Sequence, residues 1–118
     1  MKKILLCEDE IDAQQSLKSI LTKRNYEVLT VNDGKDALDK AKEFKPDLVL
    51  LDIRLPKIDG LEVAREIRTF DKTTKLIFLT AFTGHEIQKE ASHYNITDYI
   101  NKPIVPDELI KKIEAALK

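Results

Sequence analysis

Five short apolar runs alternate strictly with five stretches of helical spacing, and this rhythm constrains the fold more than any other feature of the chain. The runs are Lys3 to Cys7, Glu27 to Val31, Leu48 to Leu51, Leu76 to Thr80 and Asp98 to Ile100. In the first helical stretch Ala13, Leu17, Ile20 and Leu21 recur at i, i+4, i+7 and i+8, and Leu109, Ile113, Ala116 and Leu117 repeat the pattern in the last. Strand followed by helix, five times over with short connections, predicts a parallel sheet covered by helices, because each right-handed crossover lays its helix on one face. The first, third and fourth runs are apolar throughout, as strands covered on both faces are, and belong in the middle. The second mixes Glu27 and Thr30 with Val28, Leu29 and Val31, and the fifth is short and polar, so both suit edges. The expected fold is α/β, a flavodoxin-like (βα)5 doubly wound parallel sheet of strand order 2-1-3-4-5, in one domain over residues 1–118. Asp33-Gly34, Asp59-Gly60 and Pro106-Asp107-Glu108 supply helix starts, and Pro46 closes the segment before the third strand.

Composition narrows the partners. A net charge of −1, with no dense Lys/Arg cluster, offers no field to attract nucleic acid. The opening Met1 to Cys7 resembles the start of a signal peptide, but Glu8-Asp9-Glu10 ends the apolar run too early, and no segment reaches the roughly 18 apolar residues of a membrane span. The single cysteine, Cys7, cannot form an internal disulfide and reads as a small buried hydrophobe. The expectation is a cytoplasmic protein with no nucleic-acid or membrane partner, and with no output domain after the fifth helix.

In a sheet of this winding, ligands bind outside the carboxyl ends of the strands where the strand order reverses, here between the first and third. Glu8, Asp9 and Asp52 fall at those ends. Three converging carboxylates repel one another unless a cation neutralises them, and hard oxygen donors suit Mg²⁺. The fourth and fifth strands end at Thr80 and Lys102, adding a hydroxyl and an ammonium. A carboxylate nucleophile, a divalent cation and a lysine are the parts phosphoryl transfer needs, and the product would be an aspartyl phosphate.

The acidic pair after the first strand, Pro46 to Asp52, Leu55-Pro56, Asp59-Gly60, Thr80-Ala81 and Tyr99 ahead of Lys102-Pro103 together resemble the response-regulator receiver family over the whole chain. The resemblance implies a phosphorylation-dependent signalling switch. It implies that Asp52 is phosphorylated, that Asp9 ligates Mg²⁺ with Glu8 helping through water, and that Arg54 lends its backbone carbonyl to the metal. Lys102 would pair with the phosphoryl group, Thr80 would hydrogen-bond it, and Tyr99 would be the switch aromatic that alters the surface of helix four, strand five and helix five. Glu8 stands where Asp is more usual. Arg54 and Phe82 occupy positions that tune access of hydrolytic water, and their bulk implies slow autodephosphorylation.

The implied phosphodonor is a sensor histidine kinase or a histidine phosphotransfer protein, and partner contacts are expected at Glu10, Ala13, Gln14 and Ile104. The chain would either bind a downstream target, as chemotaxis-type regulators do, or pass phosphate on as a relay; the segments around Leu48 to Gly60 and Leu76 to Glu90 look more like sporulation-type relay regulators.

Four of the site residues also have an ordinary reading: Asp9 as the N-cap of the first helix, Asp52 as a turn residue, Thr80 as a strand hydroxyl satisfying backbone, Lys102 as a solvated lysine. Their convergence at one sheet end favours a common site. His85 and His93 lack partners at metal-ligand spacing and read as surface residues, Tyr94 and Phe70 as packing or surface residues, and Lys35 to Lys45 as a solvated helix face. Among rivals, a phosphatase of the haloacid-dehalogenase type would carry D-x-D after its first strand, whereas Asp52-Ile53-Arg54 follows the third. A flavodoxin-like FMN carrier needs a Ser/Thr/Gly-rich phosphate loop where Glu8-Asp9-Glu10 stands. An unphosphorylated interaction module would have no use for the full constellation.

Overall fold

The computed structural model describes residues 1–81 and 85–118, and their side chains except those of 85–87. Five parallel strands, β1 (Lys3–Cys7), β2 (Glu27–Val31), β3 (Leu48–Asp52), β4 (Lys75–Thr80) and β5 (Asp98–Asn101), lie in the order β2-β1-β3-β4-β5. They alternate with α1 (Ile11–Lys23), α2 (Gly34–Phe44), α3 (Gly60–Phe70), α4 (His85–Ala91) and α5 (Pro106–Ala116), with a 3₁₀ turn at Ser92–Tyr94. This is the flavodoxin-like winding expected from the alternation. The two strands with polar positions, β2 and β5, take the edges.

Side chains alternate across the sheet with period two, so each central strand supplies both faces. Leu5, Cys7, Val49, Leu51, Leu76 and Phe78 point to one side and pack beneath Ala37, Ala41, Val63, Ala64, Ile67 and Ala91 of α2, α3 and α4. Ile4, Leu6, Leu48, Leu50, Ile77 and Leu79 point to the other and meet Leu17 and Leu21 of α1 with Leu109, Ile110 and Ile113 of α5. Each fully buried Leu or Ile contributes about 1.5–3 kcal/mol. Cys7 is buried in the first of these layers, and burial pushes its thiol pKa far up, so it acts there as a hydrophobe.

Helix starts follow local chemistry. Asp33 accepts from the Asp36 N–H at 2.8 Å and Asp59 from the Glu62 N–H at 3.0 Å, the capping expected at both Asp-Gly steps. The cap of α1 is Glu10 rather than Asp9, its carboxylate accepting from the N–H groups of Asp12 at 3.2 Å and Ala13 at 2.8 Å. Three strands run one residue further than the apolar runs: Asp52 pairs with Leu79, Lys75 with Leu48, and Asn101 with Thr80. Tyr94 packs against the α3-side core, Phe70 is exposed beneath the Lys42 ammonium, and His93 is exposed.

Two glycines fix the loop that follows β3. The Gly34 N–H donates to the Pro56 carbonyl at 3.0 Å and the Gly60 N–H to that of Ile53 at 2.7 Å. A Cβ on Gly60 would stand 2.3 Å from the Asp52 carbonyl oxygen and 2.7 Å from Ile53 Cα, both backbone atoms that cannot rotate away. Gly60→Ala is therefore expected to lower stability by about 2 kcal/mol, read as a lower urea midpoint at unchanged slope; an unaltered midpoint would contradict this packing.

Candidate functional site

The carboxyl ends of β1, β3, β4 and β5 open onto a crevice of about 520 Å³ that Glu8, Asp9, Asp52, Arg54, Thr80 and Lys102 line. It sits where the crossovers diverge: β1 leads through α1 to β2 on one side, and β3 lies on the other. Six of the seven site residues named from the sequence meet here. The seventh, Tyr99, is half-buried on β5 beside Phe78 of β4, ring centroids 6.0 Å apart, away from the crevice wall. Phe82 lies outside the described residues, as does the side chain of His85.

Asp52 is 7% exposed and held at both carboxylate oxygens. Its Oδ1 accepts from the Arg54 backbone N–H at 3.0 Å, a local turn bond, and its Oδ2 accepts from Lys102 Nζ at 2.6 Å. The turn bond to Arg54 and the contact with Lys102 thus coexist on one carboxylate. Lys102 also donates to Glu8 Oε2 at 3.2 Å, so its ammonium bridges the two carboxylates. The Lys102 backbone N–H donates to the Thr80 carbonyl at 2.8 Å, which carries the β4–β5 ladder one residue past β5.

The electrostatics follow from this geometry. Glu8 is 1% exposed. Burial first, then the hydrogen bond and charge of Asp52, push its carboxyl pKa up to about 7, with Lys102 pulling the other way. For Lys102, burial favours the neutral amine, but the hydrogen bonds and charges of Asp52 and Glu8 prevail and its pKa is raised. The lysine is a fixed cation.

Asp9 differs from its neighbours. It is exposed, and among the described residues it makes no hydrogen bond or ion pair. One carboxylate oxygen from each of Glu8, Asp9 and Asp52 falls within 4.8 Å of the others. An all-oxygen acidic set that burial and mutual repulsion leave short of positive charge fits a hard divalent cation such as Mg²⁺, which keeps several waters and takes few protein carboxylates.

Of the expected partner contacts, Gln14 must be corrected. Its amide is buried and bonded to Glu8, Val31 and Asn32, so it faces the strand ends instead of solvent. Its signal was present in the sequence: Gln14, Leu17 and Leu21 fall at i, i+3 and i+7, which puts Gln14 on the buried stripe of α1.

A doubly wound parallel sheet that gathers three carboxylates, a threonine and a bridging lysine at its switch point has the architecture of a receiver domain. The chain belongs to the response regulator receiver domain family, whose sequence profile matches residues 4–114. It is 41% identical over all 118 residues to the response regulator ArlR of Staphylococcus aureus, and it spans 53% of that protein, about half the length of the curated relatives it matches. Among solved structures it is similar to the chemotaxis protein CheY4 of Vibrio cholerae, with a TM-score of 0.94, 31% identity and 99% of each chain covered. It is similar too to the receiver domain of the sensor histidine kinase PA1611 from Pseudomonas aeruginosa, with a TM-score of 0.90, 30% identity and 98% and 97% covered. In that structure a magnesium ion is coordinated in the active site cleft. The family is one of two-component regulators rather than classical enzymes. No helix among the described residues is long and apolar enough to cross a membrane.

The Glu8 carboxyl carries a pH dependence. A folded-state pKa near 7 against an ordinary 4.5 means that the folded protein binds this proton more tightly than the unfolded chain. The stabilisation is fully present below about pH 4.5 and is lost as pH rises through about 7. In chelator, the metal-free protein should be more stable at pH 5.5 than at pH 8, by on the order of 2 kcal/mol, and Glu8→Gln should remove most of that difference. Denaturation curves with the same pH dependence in both proteins would refute the assignment.

Proposed function

We propose that the chain is a phosphorylation-dependent signalling switch in which Asp52 accepts a phosphoryl group from the phosphohistidine of a sensor histidine kinase or a histidine phosphotransfer protein. The observation that carries this reading is the paired restraint on Asp52, one oxygen on the Arg54 N–H and the other on the Lys102 ammonium, inside a crevice that also holds the free carboxylate of Asp9.

An Asp52 carboxylate oxygen attacks phosphorus, the new O–P bond forms as the P–N bond breaks, and the electron pair leaves with the donor's imidazole. Asp9 and Asp52 would hold Mg²⁺ directly, with the Arg54 backbone carbonyl, and Glu8 would act through water. A bound Mg²⁺ supplies positive charge that offsets the carboxylates and the equatorial oxygens of the transferring group. Lys102, already a fixed cation between Glu8 and Asp52, pairs with the phosphoryl oxygens. Lys102 stabilises negative charge that grows during transfer, which is where a preplaced cation contributes most to rate.

Thr80, on the same wall, hydrogen-bonds the phosphoryl group, and Tyr99 repacks in response, changing the surface of α4, β5 and α5. That surface recruits a downstream target, or the phosphoryl group is relayed onward. Arg54 over the crevice shields the aspartyl phosphate from water, which makes autodephosphorylation slow.

The test is intact mass after incubation with Mg²⁺ and a small phosphodonor such as acetyl phosphate. Wild type should gain one phosphoryl group, and Asp52→Asn none; equal labelling of both would remove Asp52 as the acceptor. Lys102→Ala should still fold on its two buried apolar layers, with the carboxyl ends of the strands loosened, but should label at least tenfold more slowly.

A further inference from the structure

Three parts of the acidic turn after β1 need to be held for the crevice to form, and α1 supplies the restraint for two of them. The ladder between β1 and β2 runs one residue past the strands, through the Glu8 N–H donating to the Val31 carbonyl at 3.2 Å. Beyond that point the two chains separate. Glu10 is fixed by its own side chain, which caps α1, and its carbonyl accepts the first helical bond from the Gln14 N–H at 2.9 Å. Asp9, between them, has no side-chain restraint among the described residues, so its carboxylate goes where the backbone of Glu8 and Glu10 puts it.

Glu8 is restrained by Gln14. The Gln14 Nε2 lies 2.9 Å from the Glu8 carbonyl oxygen, 2.7 Å from Asn32 Oδ1 and 3.3 Å from the Val31 carbonyl oxygen. A primary amide carries two N–H donors. The two short contacts, to Glu8 and Asn32, therefore take them, and the longer one to Val31 is shared. All of this is enclosed, Gln14 being 8% exposed. No other hydrogen bond to the Glu8 carbonyl is present among the described residues. Removing the amide leaves that carbonyl without its partner and lets the turn relax.

We infer that Gln14 is a positioning residue for the cation site: by clamping the Glu8 carbonyl to the end of β2, it sets the backbone that aims the Asp9 carboxylate into the crevice. This rests on the reading of Asp9 as a metal ligand given above. Partners one shell removed from a metal, when they orient its ligands, typically change affinity 10- to 100-fold.

The experiment titrates Mn²⁺ into the full chain by electron paramagnetic resonance, with Mg²⁺ in competition, for wild type, Gln14→Met, Gln14→Glu and Asp9→Asn, and records urea denaturation in chelator for each. Met keeps the length and volume of Gln14 without its donors; Glu replaces donors by acceptors facing carbonyl oxygens. Gln14→Met is expected to unfold cooperatively and to weaken the cation dissociation constant about tenfold, with Gln14→Glu weaker still. Phosphodonor labelling of Gln14→Met should return to the wild-type rate once Mg²⁺ is saturating, because only the cation equilibrium is displaced. A cation constant for folded Gln14→Met within twofold of wild type, while Asp9→Asn loses binding, would overturn the role of Gln14 alone. Wild-type affinity in Asp9→Asn would instead overturn the metal-site reading on which it rests. Should Gln14→Met fail to fold, Asn32→Ala, which removes the amide's anchor at 2.7 Å, carries the same comparison, and a cation constant within twofold of wild type again overturns the role of Gln14.

Discussion

A lysine ammonium shared between two buried carboxylates is the contact on which the carboxyl end of this sheet depends. Glu8 and Asp52 are both almost fully buried, and each raises the energy of the other's charge. Left alone, such a pair would protonate or splay apart, because an uncompensated buried charge is far more expensive than a buried neutral acid. Lys102 reaches both, at 3.2 and 2.6 Å, and is itself held by its backbone bond to Thr80. The acidic crevice is therefore held together by the protein's own charges, with one proton on Glu8 poised near neutrality. Structure and chemical readiness come from the same arrangement.

The sheet makes that arrangement unavoidable. Two apolar faces, each needing helices, force crossovers on both sides, and the strand order then reverses between β1 and β3. Residues at the carboxyl ends of those two strands must emerge side by side. Glu8 and Asp52 therefore meet although 44 positions separate them in sequence. Gly60 lets α3 begin against the backbone of Asp52, and Gly34 ties the intervening loop to α2, so the aspartate is braced from behind as well as bonded in front.

The sequence made the sheet order legible because it follows from which runs are apolar throughout, a property of single residues. The bounds of β3 and β5 were less so: backbone pairing continues through Asp52 and Asn101, whose side chains look like loop residues. The cap of α1 was also ambiguous, since Glu8, Asp9 and Glu10 are three acids in a row. The extra ladder bond from Glu8 moves the helix start to Glu10 and thereby frees Asp9. Gln14 is expected at a partner surface because the resemblance assigns partner contacts to the first helix, whereas its amide is buried. Its acceptors, Val31 and Asn32, come from a different strand end and are invisible in a local window.

A switch needs an interaction that differs between two states, since a ligand shifts an equilibrium only by its differential affinity. Lys102 provides one on the proposed function. Unphosphorylated, it is bonded to the Asp52 carboxylate; an aspartyl phosphate replaces that oxygen with a bulkier, more charged group, so the ammonium must follow the charge outward. Because the Lys102 N–H is bonded to the Thr80 carbonyl, that displacement would be taken up where β4 and β5 pair. Tyr99 sits two residues from that pairing, half-buried against Phe78, and Lys112 of α5 donates to its carbonyl oxygen at 2.5 Å. On that proposal the path from Asp52 to the surface would run along hydrogen-bonded backbone and one aromatic contact, with no step that requires the central strands to move.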